Sequence, residues 1–148
     1  MKQACATISI YSKIENSKLL HLVNRIPAKL DGERQEVTPH DKFLQLTLLN
    51  VNKGRTFAPH RHIWKKPTYD SVIAQESWIV IRGKVKAYFY DIDEQLIATE
   101  ILSPGDCSMT FEGGHSYEIL EENTVVYEYK TGPYLGQKLD KVFLGEQE

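Results

Sequence analysis

The sequence predicts an all-β domain, and three features lead to that prediction. From residue 43 onward, short runs rich in Val, Ile, Thr and Tyr recur at intervals of roughly 8–12 residues. Turn-forming groups such as Arg82-Gly83 and residues 103–106 (SPGD) separate these runs. Residues 85–90 alternate between two sets of side chains, which is the period of a strand. Together these features are typical of a β-sandwich or barrel.

The N-terminal part of the chain gives weaker signals. Residues 6–11 (ATISIY) favour a strand because β-branched residues and Tyr dominate the run. Residues 17–25 (SKLLHLVNR) fit either a strand or a short helix, since their apolar positions do not settle the period. Residues 26–40 contain prolines and a glycine among many charges, so we expect a surface loop there.

The rest of the chain is predicted as short strands and loops. Residues 43–51 (FLQLTLLNV) favour a strand, 56–63 an extended segment and 64–74 a loop. Further strands are predicted at residues 77–81, 84–90, 95–102, 107–111, 115–120 and 124–130. We expect the last two to pair across residues 121–123. Alternation places Val85, Ala87 and Phe89 on one face and Tyr88 and Tyr90 on the other, and leaves open which face lines the interior.

Length and composition limit the classes of function. With 148 residues, 41% hydrophobic and 26% charged, the chain suits one folded domain. A net charge of -2 gives no reason to expect nucleic acid or an anionic membrane as a partner. No apolar run approaches the roughly 18 residues of a spanning helix, and the N-terminus does not resemble a signal peptide. Cys5 and Cys107 lack CxxC spacing, so we expect two free thiols in the cytoplasm, with Cys107 in the core.

Residues capable of metal or acid–base chemistry concentrate around His60-Arg61-His62. In an extended segment His60 and His62 share one face. Glu76 begins a following strand, and His115 begins a later one. Imidazoles and a carboxylate that converge from different strands suit several divalent ions, so Fe, Mn, Ni, Co and Zn all remain open. The metal-ligand prediction is therefore His60, His62, Glu76 and His115, whereas His21 and His40 fit no motif and are interpreted as incidental.

The segment from Gly54 to Gly83 resembles the first motif of the cupin family. Five residues separate Gly54 from the His-x-His pair, and six separate Glu76 from Gly83, as in that motif. The 13 residues between His62 and Glu76 are the departure, because the family pattern has a much shorter gap. This long gap predicts either a plain surface loop or a loop that sets specificity.

Residues 105–119 resemble a degenerate second cupin motif. His115 follows Gly113-Gly114, while Phe111 stands in place of the motif proline and Ile119 in place of its asparagine. The resemblance implies one cupin domain over residues 1–148, with a core barrel at about 43–131. It also implies a double-stranded β-helix, or jelly-roll barrel, with N-terminal strand additions and a metal ion at its mouth.

Within the cupins, the chain is similar to the small WbuC-like proteins of polysaccharide biosynthesis clusters. Residues 59–62 (PHRH) and 128–134 (EYKTGPY) carry this similarity. It implies a metal-binding enzyme acting on a sugar or sugar nucleotide, by isomerisation, epimerisation or a related step. Lys65, Lys66 and Tyr69 of the long gap would then contact an anionic or sugar-like ligand.

Two other functions stay open at this point. In a metal-free isomerase or epimerase of cupin type, His60 or His115 would act as the base. In a non-enzymatic module, the same pocket would only bind a sugar or a metal. A homodimer is also open, because the strand at residues 6–11 could add to the sheet of a second copy.

Overall fold

The chain folds as an all-β protein. The computed structural model describes residues 7–27, 32–64 and 71–145. These ranges contain ten strands and one short 3₁₀ helix, Gln137–Leu139. The strands are β1 (Thr7–Tyr11), β2 (Leu19–Asn24), β3 (Arg34–Glu36), β4 (Thr47–Leu49), β5 (Glu76–Arg82), β6 (Val85–Tyr90), β7 (Leu96–Leu102), β8 (Cys107–Thr110), β9 (Gly114–Ile119) and β10 (Val125–Lys130). No described helix has the length and apolar character needed to cross a membrane.

The strands form antiparallel sheets, and no closed barrel is found in the described part of the chain. One sheet has five strands in the order β1-β2-β8-β5-β10, and a second has three in the order β7-β6-β9. β3 and β4 form a separate two-stranded ribbon. Apolar side chains of the two larger sheets pack into one core, so these sheets face each other.

Buried and partly buried side chains alternate strictly along β6, and the buried ones form part of the core between the sheets. Val85, Ala87 and Phe89 are fully buried, so their face of β6 lines the interior, while Tyr88 and Tyr90 lie on the opposite face. Val23 and Val80 of the five-stranded sheet meet them from the other side. Burial of these apolar side chains drives the packing of the two sheets.

A second apolar cluster covers the outer face of the five-stranded sheet at β2 and β8. It contains Leu19, Leu22, Met109 and Phe111, with Val37, Leu44 and Leu46 packed on them. β2 is therefore covered on both faces, and all six of its residues are buried. This explains why its sequence lacks alternation, and the structure resolves the open choice between helix and strand in favour of a strand.

Three predicted segments differ in the structure. The strand predicted at residues 43–51 is reduced to β4, and Leu44 and Leu46 before it pack on the outer cluster. The segment predicted as extended at 56–63 belongs to no strand, and each of its side chains is exposed. The loop predicted at 26–40 contains β3, whose three exposed residues pair with β4.

The predicted pairing of the last two strands was wrong. β9 pairs with β6 in one sheet, whereas β10 pairs with β5 in the other. Residues 120–124 therefore cross from sheet to sheet and do not close a hairpin. Alternation could not reveal this, because a strand buries the same face whether its neighbour in sequence lies beside it or across the core.

Candidate functional site

A row of polar side chains crosses the inner face of the five-stranded sheet. Strand register places His21 beside Thr110, Thr110 beside Glu76 and Glu76 beside Lys130. These four residues, which we call the polar row, share the face of Val23 and Val80, two of the core residues. The polar row thus lies at one end of the space between the sheets, where the apolar core stops.

Glu76 of the polar row is hydrogen-bonded to the opposite sheet. Its Oε1 lies 3.1 Å from Nε2 of His115, and the two side chains are 12% and 22% exposed. Burial alone would raise the pKa of Glu76, but the His115 hydrogen bond and the charges of His115, Lys141 and Lys130 outweigh it and lower that pKa. Glu76 is therefore held as a carboxylate that accepts a hydrogen bond from an imidazole.

Two stacked aromatic rings lie beside this pair. Trp78 and Tyr117 are parallel within 10°, with ring centroids 4.0 Å apart. The Tyr117 hydroxyl lies 2.9 Å from Ser108 Oγ, and the Trp78 indole N–H donates to Glu128 at 3.2 Å. Burial raises the pKa of the Tyr117 phenol, which keeps it protonated and able to donate. Tyr117 also contacts His115, with ring centroids 5.4 Å apart, so the stacked rings lie between the apolar core and the polar row.

His21, which fits no motif in the sequence, is the most buried member of the polar row. Its ring is fully buried, with Nε2 2.9 Å from the Tyr90 carbonyl oxygen and Nδ1 3.0 Å from the Thr110 hydroxyl. A carbonyl only accepts, so Nε2 carries the proton and Nδ1 accepts from Thr110. Burial lowers the pKa of His21 to about 4. The signal in the sequence was the apolar residues on both sides of it, LLHLV, because a histidine buried among them needs hydrogen-bond partners for its ring nitrogens.

The C-terminal segment brings one acidic and one basic side chain, Asp140 and Lys141, near the same end. Lys130 donates to Asp140 at 2.9 Å, and that carboxylate is only 9% exposed. Leu144 packs against Gly114, at the start of the strand that carries His115. Lys141, on the stretch between these anchors, contributes to the lowered pKa of Glu76. Of these two lysines, only Lys141 would meet an anionic group near Glu76, because Asp140 offsets the charge of Lys130.

His60 and His62 lie together but on the exposed, strand-free segment. Their ring centroids are 5.4 Å apart and nearly perpendicular. His60 Nδ1 donates to the carbonyl of Ala58 at 3.0 Å, which leaves its Nε2 facing outward. In the ranges 7–27, 32–64 and 71–145, no three His, Cys, Asp or Glu side chains are grouped to hold a metal. The four predicted ligands therefore form two pairs, His60 with His62 and Glu76 with His115.

The remaining predicted residues have simple outcomes. Lys65, Lys66 and Tyr69 lie outside the described residues. Cys107 is buried, as predicted, and burial raises the pKa of its thiol to about 11. His40 is exposed and contacts Glu36.

Comparison with known proteins identified no relative of this chain. No family model, curated protein or solved structure matches the chain. The functional argument therefore depends on the geometry of the site.

Proposed function

We propose that the chain is a small-molecule enzyme that transfers a proton at the Glu76–His115 pair. The hydrogen bond between these two side chains is the observation that carries the proposal. With Nε2–H donating to the carboxylate, Nδ1 of His115 has a free lone pair that can accept a proton from a substrate. The carboxylate then stabilises the imidazolium that forms and orients the ring, as a buried acid does for a catalytic histidine.

The surroundings support this assignment of roles. The pKa of Glu76 is lowered although burial opposes this, so the carboxylate is charged at neutral pH. His115 is 22% exposed, which leaves it within reach of a ligand. His115 is thus the proposed base, and Glu76 is the residue that positions it.

The proposed substrate is a sugar or sugar nucleotide, and the proposed reaction is an isomerisation or epimerisation in surface-polysaccharide synthesis in the cytoplasm. This part is supported by the cupin-like spacing of Gly54, His60, Glu76 and Gly83. The charge of Lys141, which acts on Glu76, suits a ligand with a phosphate or a carboxylate, whereas Lys130 is already paired with Asp140. The fold proposed together with this function is a double-stranded β-helix.

Proton transfer is tested by solvent exchange. The protein is incubated in D₂O with a panel of sugar nucleotides, and deuterium in the recovered substrate and product is measured by mass spectrometry. We expect incorporation with at least one compound and a loss of about 100-fold or more in rate for His115→Gln. His40→Gln, at an exposed histidine, is the matched control. Calorimetric binding without exchange or turnover would reject the enzyme in favour of a non-enzymatic binding module.

A metal centre is the second candidate, and the contact between the rings of His60 and His62 favours it. His60, His62, Glu76 and His115 would hold a divalent ion such as Fe, Mn, Ni, Co or Zn, which would supply Lewis-acid or water-activating chemistry. In the structure the two pairs are separate, so no catalytic step is assigned to a metal.

Elemental analysis decides the metal question independently of activity. Protein purified without added metal is measured together with the double variant His60→Ala, His62→Ala. A bound ion in the native chain that is lost in the double variant supports the centre. No bound ion, or the same metal content in the double variant, rejects it. His40→Ala again serves as the control, since His40 is exposed and outside the motif.

A further inference from the structure

The edge of the five-stranded sheet at β10 is open. β10 pairs with β5 on one side, and no strand in the described ranges pairs with its other side. The backbone N–H of Thr131 donates to the carbonyl of Gln75, so the backbone groups of residue 131 point toward the β5 side of the strand. Backbone groups alternate along a strand, so the N–H and C=O groups of Val126, Glu128 and Lys130 point to the open edge. Such a row of free donors and acceptors is a template for another strand.

The outer face beside this edge is apolar. Tyr127 and Tyr129 are 55% and 54% exposed, and their rings contact each other edge-on with centroids 6.5 Å apart. Ile81 of the neighbouring strand is 44% exposed on the same face. The cluster that covers β2 and β8 does not include any of these three residues. The open edge and the uncovered aromatic face therefore coincide.

We propose that this edge pairs with β10 of a second copy of the chain, antiparallel, about a two-fold axis at Tyr129. The charges on the inner face select this register. With Tyr129 opposite Tyr129 of the second copy, Glu128 of each chain lies opposite Lys130 of the other. An axis at Glu128 or at Lys130 places like charges opposite each other. An axis at Tyr127 gives neither residue a charged partner in the second copy, so that Lys130 keeps only Asp140 and Glu128 of its own chain.

The hydrogen-bonding pattern agrees with the same register. Glu128 and Lys130 both direct their backbone groups to the edge, so each forms a hydrogen-bonded pair with the other in the second copy. Tyr129 at the axis becomes a non-hydrogen-bonded pair, in which side chains approach most closely. The two five-stranded sheets would then form one continuous sheet, with the tyrosines of both copies side by side on its outer face.

A cysteine at the axis tests the register directly. In a Cys5→Ser background, Tyr129→Cys would face itself across the axis with Cα atoms about 4.5 Å apart, within the range of a disulfide. Tyr127→Cys is the matched control, because it lies on the same face but faces residue 131 of the second copy. After mild oxidation we expect a covalent dimer from Tyr129→Cys at least ten times more abundant than from Tyr127→Cys.

A charge exchange tests the selection of the register. Glu128→Lys and Lys130→Glu are each expected to be monomeric by analytical ultracentrifugation, because each places like charges opposite each other. An equal mixture of the two variants restores opposite charges at both positions, so dimers should reappear. Circular dichroism checks that each variant is folded, and this matters for Lys130→Glu, which also loses Asp140 as its partner.

Three results would overturn the proposal. A native chain that is monomeric at high concentration would show that the edge is not used or that a segment of the same chain covers it. Equal cross-linking of Tyr129→Cys and Tyr127→Cys would reject the register. A variant mixture that stays monomeric while both variants are folded would reject the charge pairing.

Discussion

His115 Nε2 and Glu76 Oε1, 3.1 Å apart, join β9 of one sheet to β5 of the other. The carboxylate is largely buried, so its charge depends on this contact and on the nearby lysines. The pair therefore ties the stability of the fold to the chemistry of the candidate site. Replacing either partner should affect both.

Glu76→Gln should destabilise the protein by about 1–3 kcal/mol at neutral pH, since a buried charge-assisted hydrogen bond is lost. The folded pKa of Glu76 is lowered, so the stability it contributes is present above its ordinary pKa and disappears as pH falls through the folded value. Urea unfolding should show that the difference in unfolding free energy between the native and variant chains becomes smaller at acid pH. Glu122→Gln, in the exposed turn after β9, should show no such difference at either pH.

His21 should make stability depend on pH in a higher range. Its folded pKa of about 4 lies below its ordinary value. Between these two values His21 is protonated in the unfolded chain and neutral in the folded chain. Between about pH 7.5 and about pH 5 we expect a loss of about 2 kcal/mol in the free energy of unfolding. This range lies above the titration of Glu76, which separates the two effects.

His21→Gln should flatten the pH dependence, because it removes the group that titrates. The variant should also be less stable at neutral pH, since the Tyr90 carbonyl or the Thr110 hydroxyl loses its partner. A native profile in His21→Gln would show that another group causes the loss of stability at mildly acid pH.

The sequence was sufficient to predict the strands that have one buried face. β6 is the clearest case, because Val85, Ala87 and Phe89 alternate with polar or aromatic residues over its whole length. Turn residues such as Gly83 and Gly105, both at positive φ, marked where strands end. The sequence could not assign these strands to sheets, since the crossing after β9 leaves the burial pattern unchanged.

The site was predicted in part for a similar physical reason. Glu76 and His115 begin strands that face each other, and the structure brings them into contact. His60 and His62 were expected on a strand because they alternate, but residues 51–64 have no pairing partner in the described structure and their spacing alone does not create one. His21 matched no motif, and its burial depends on hydrogen-bond partners from β6 and β8 that are distant in sequence.

Truncation of Phe89 tests the assignment of the inner face of β6. Phe89 is fully buried in the core between the sheets, so Phe89→Ala should cost about 3–5 kcal/mol of unfolding free energy. Tyr88→Ala, one residue away on the outer face, should cost much less because Tyr88 is only partly buried. Urea unfolding of both variants gives the comparison, and equal losses would mean that the two faces are assigned incorrectly.

The two glycines that bound the cupin-like motif should differ in their tolerance of a side chain. Gly54 and Gly83 have nearly the same backbone angle, φ of 88° and 84°, so Ala carries a similar backbone strain at each. A Cβ at Gly83 would lie 2.9 Å from the Cα of Thr124, whereas one at Gly54 would meet no atom within 4 Å.

The matched angles make the steric contact the only large difference between the two substitutions. Gly54→Ala should therefore cost about 1–2 kcal/mol, the strain of a left-handed residue. Gly83→Ala should cost about 1–3 kcal/mol more, because the backbone of Thr124 must shift and β10 begins directly after it. Denaturant titration of the two variants measures the difference. Equal costs would show that the turn between β5 and β6 yields without moving β10.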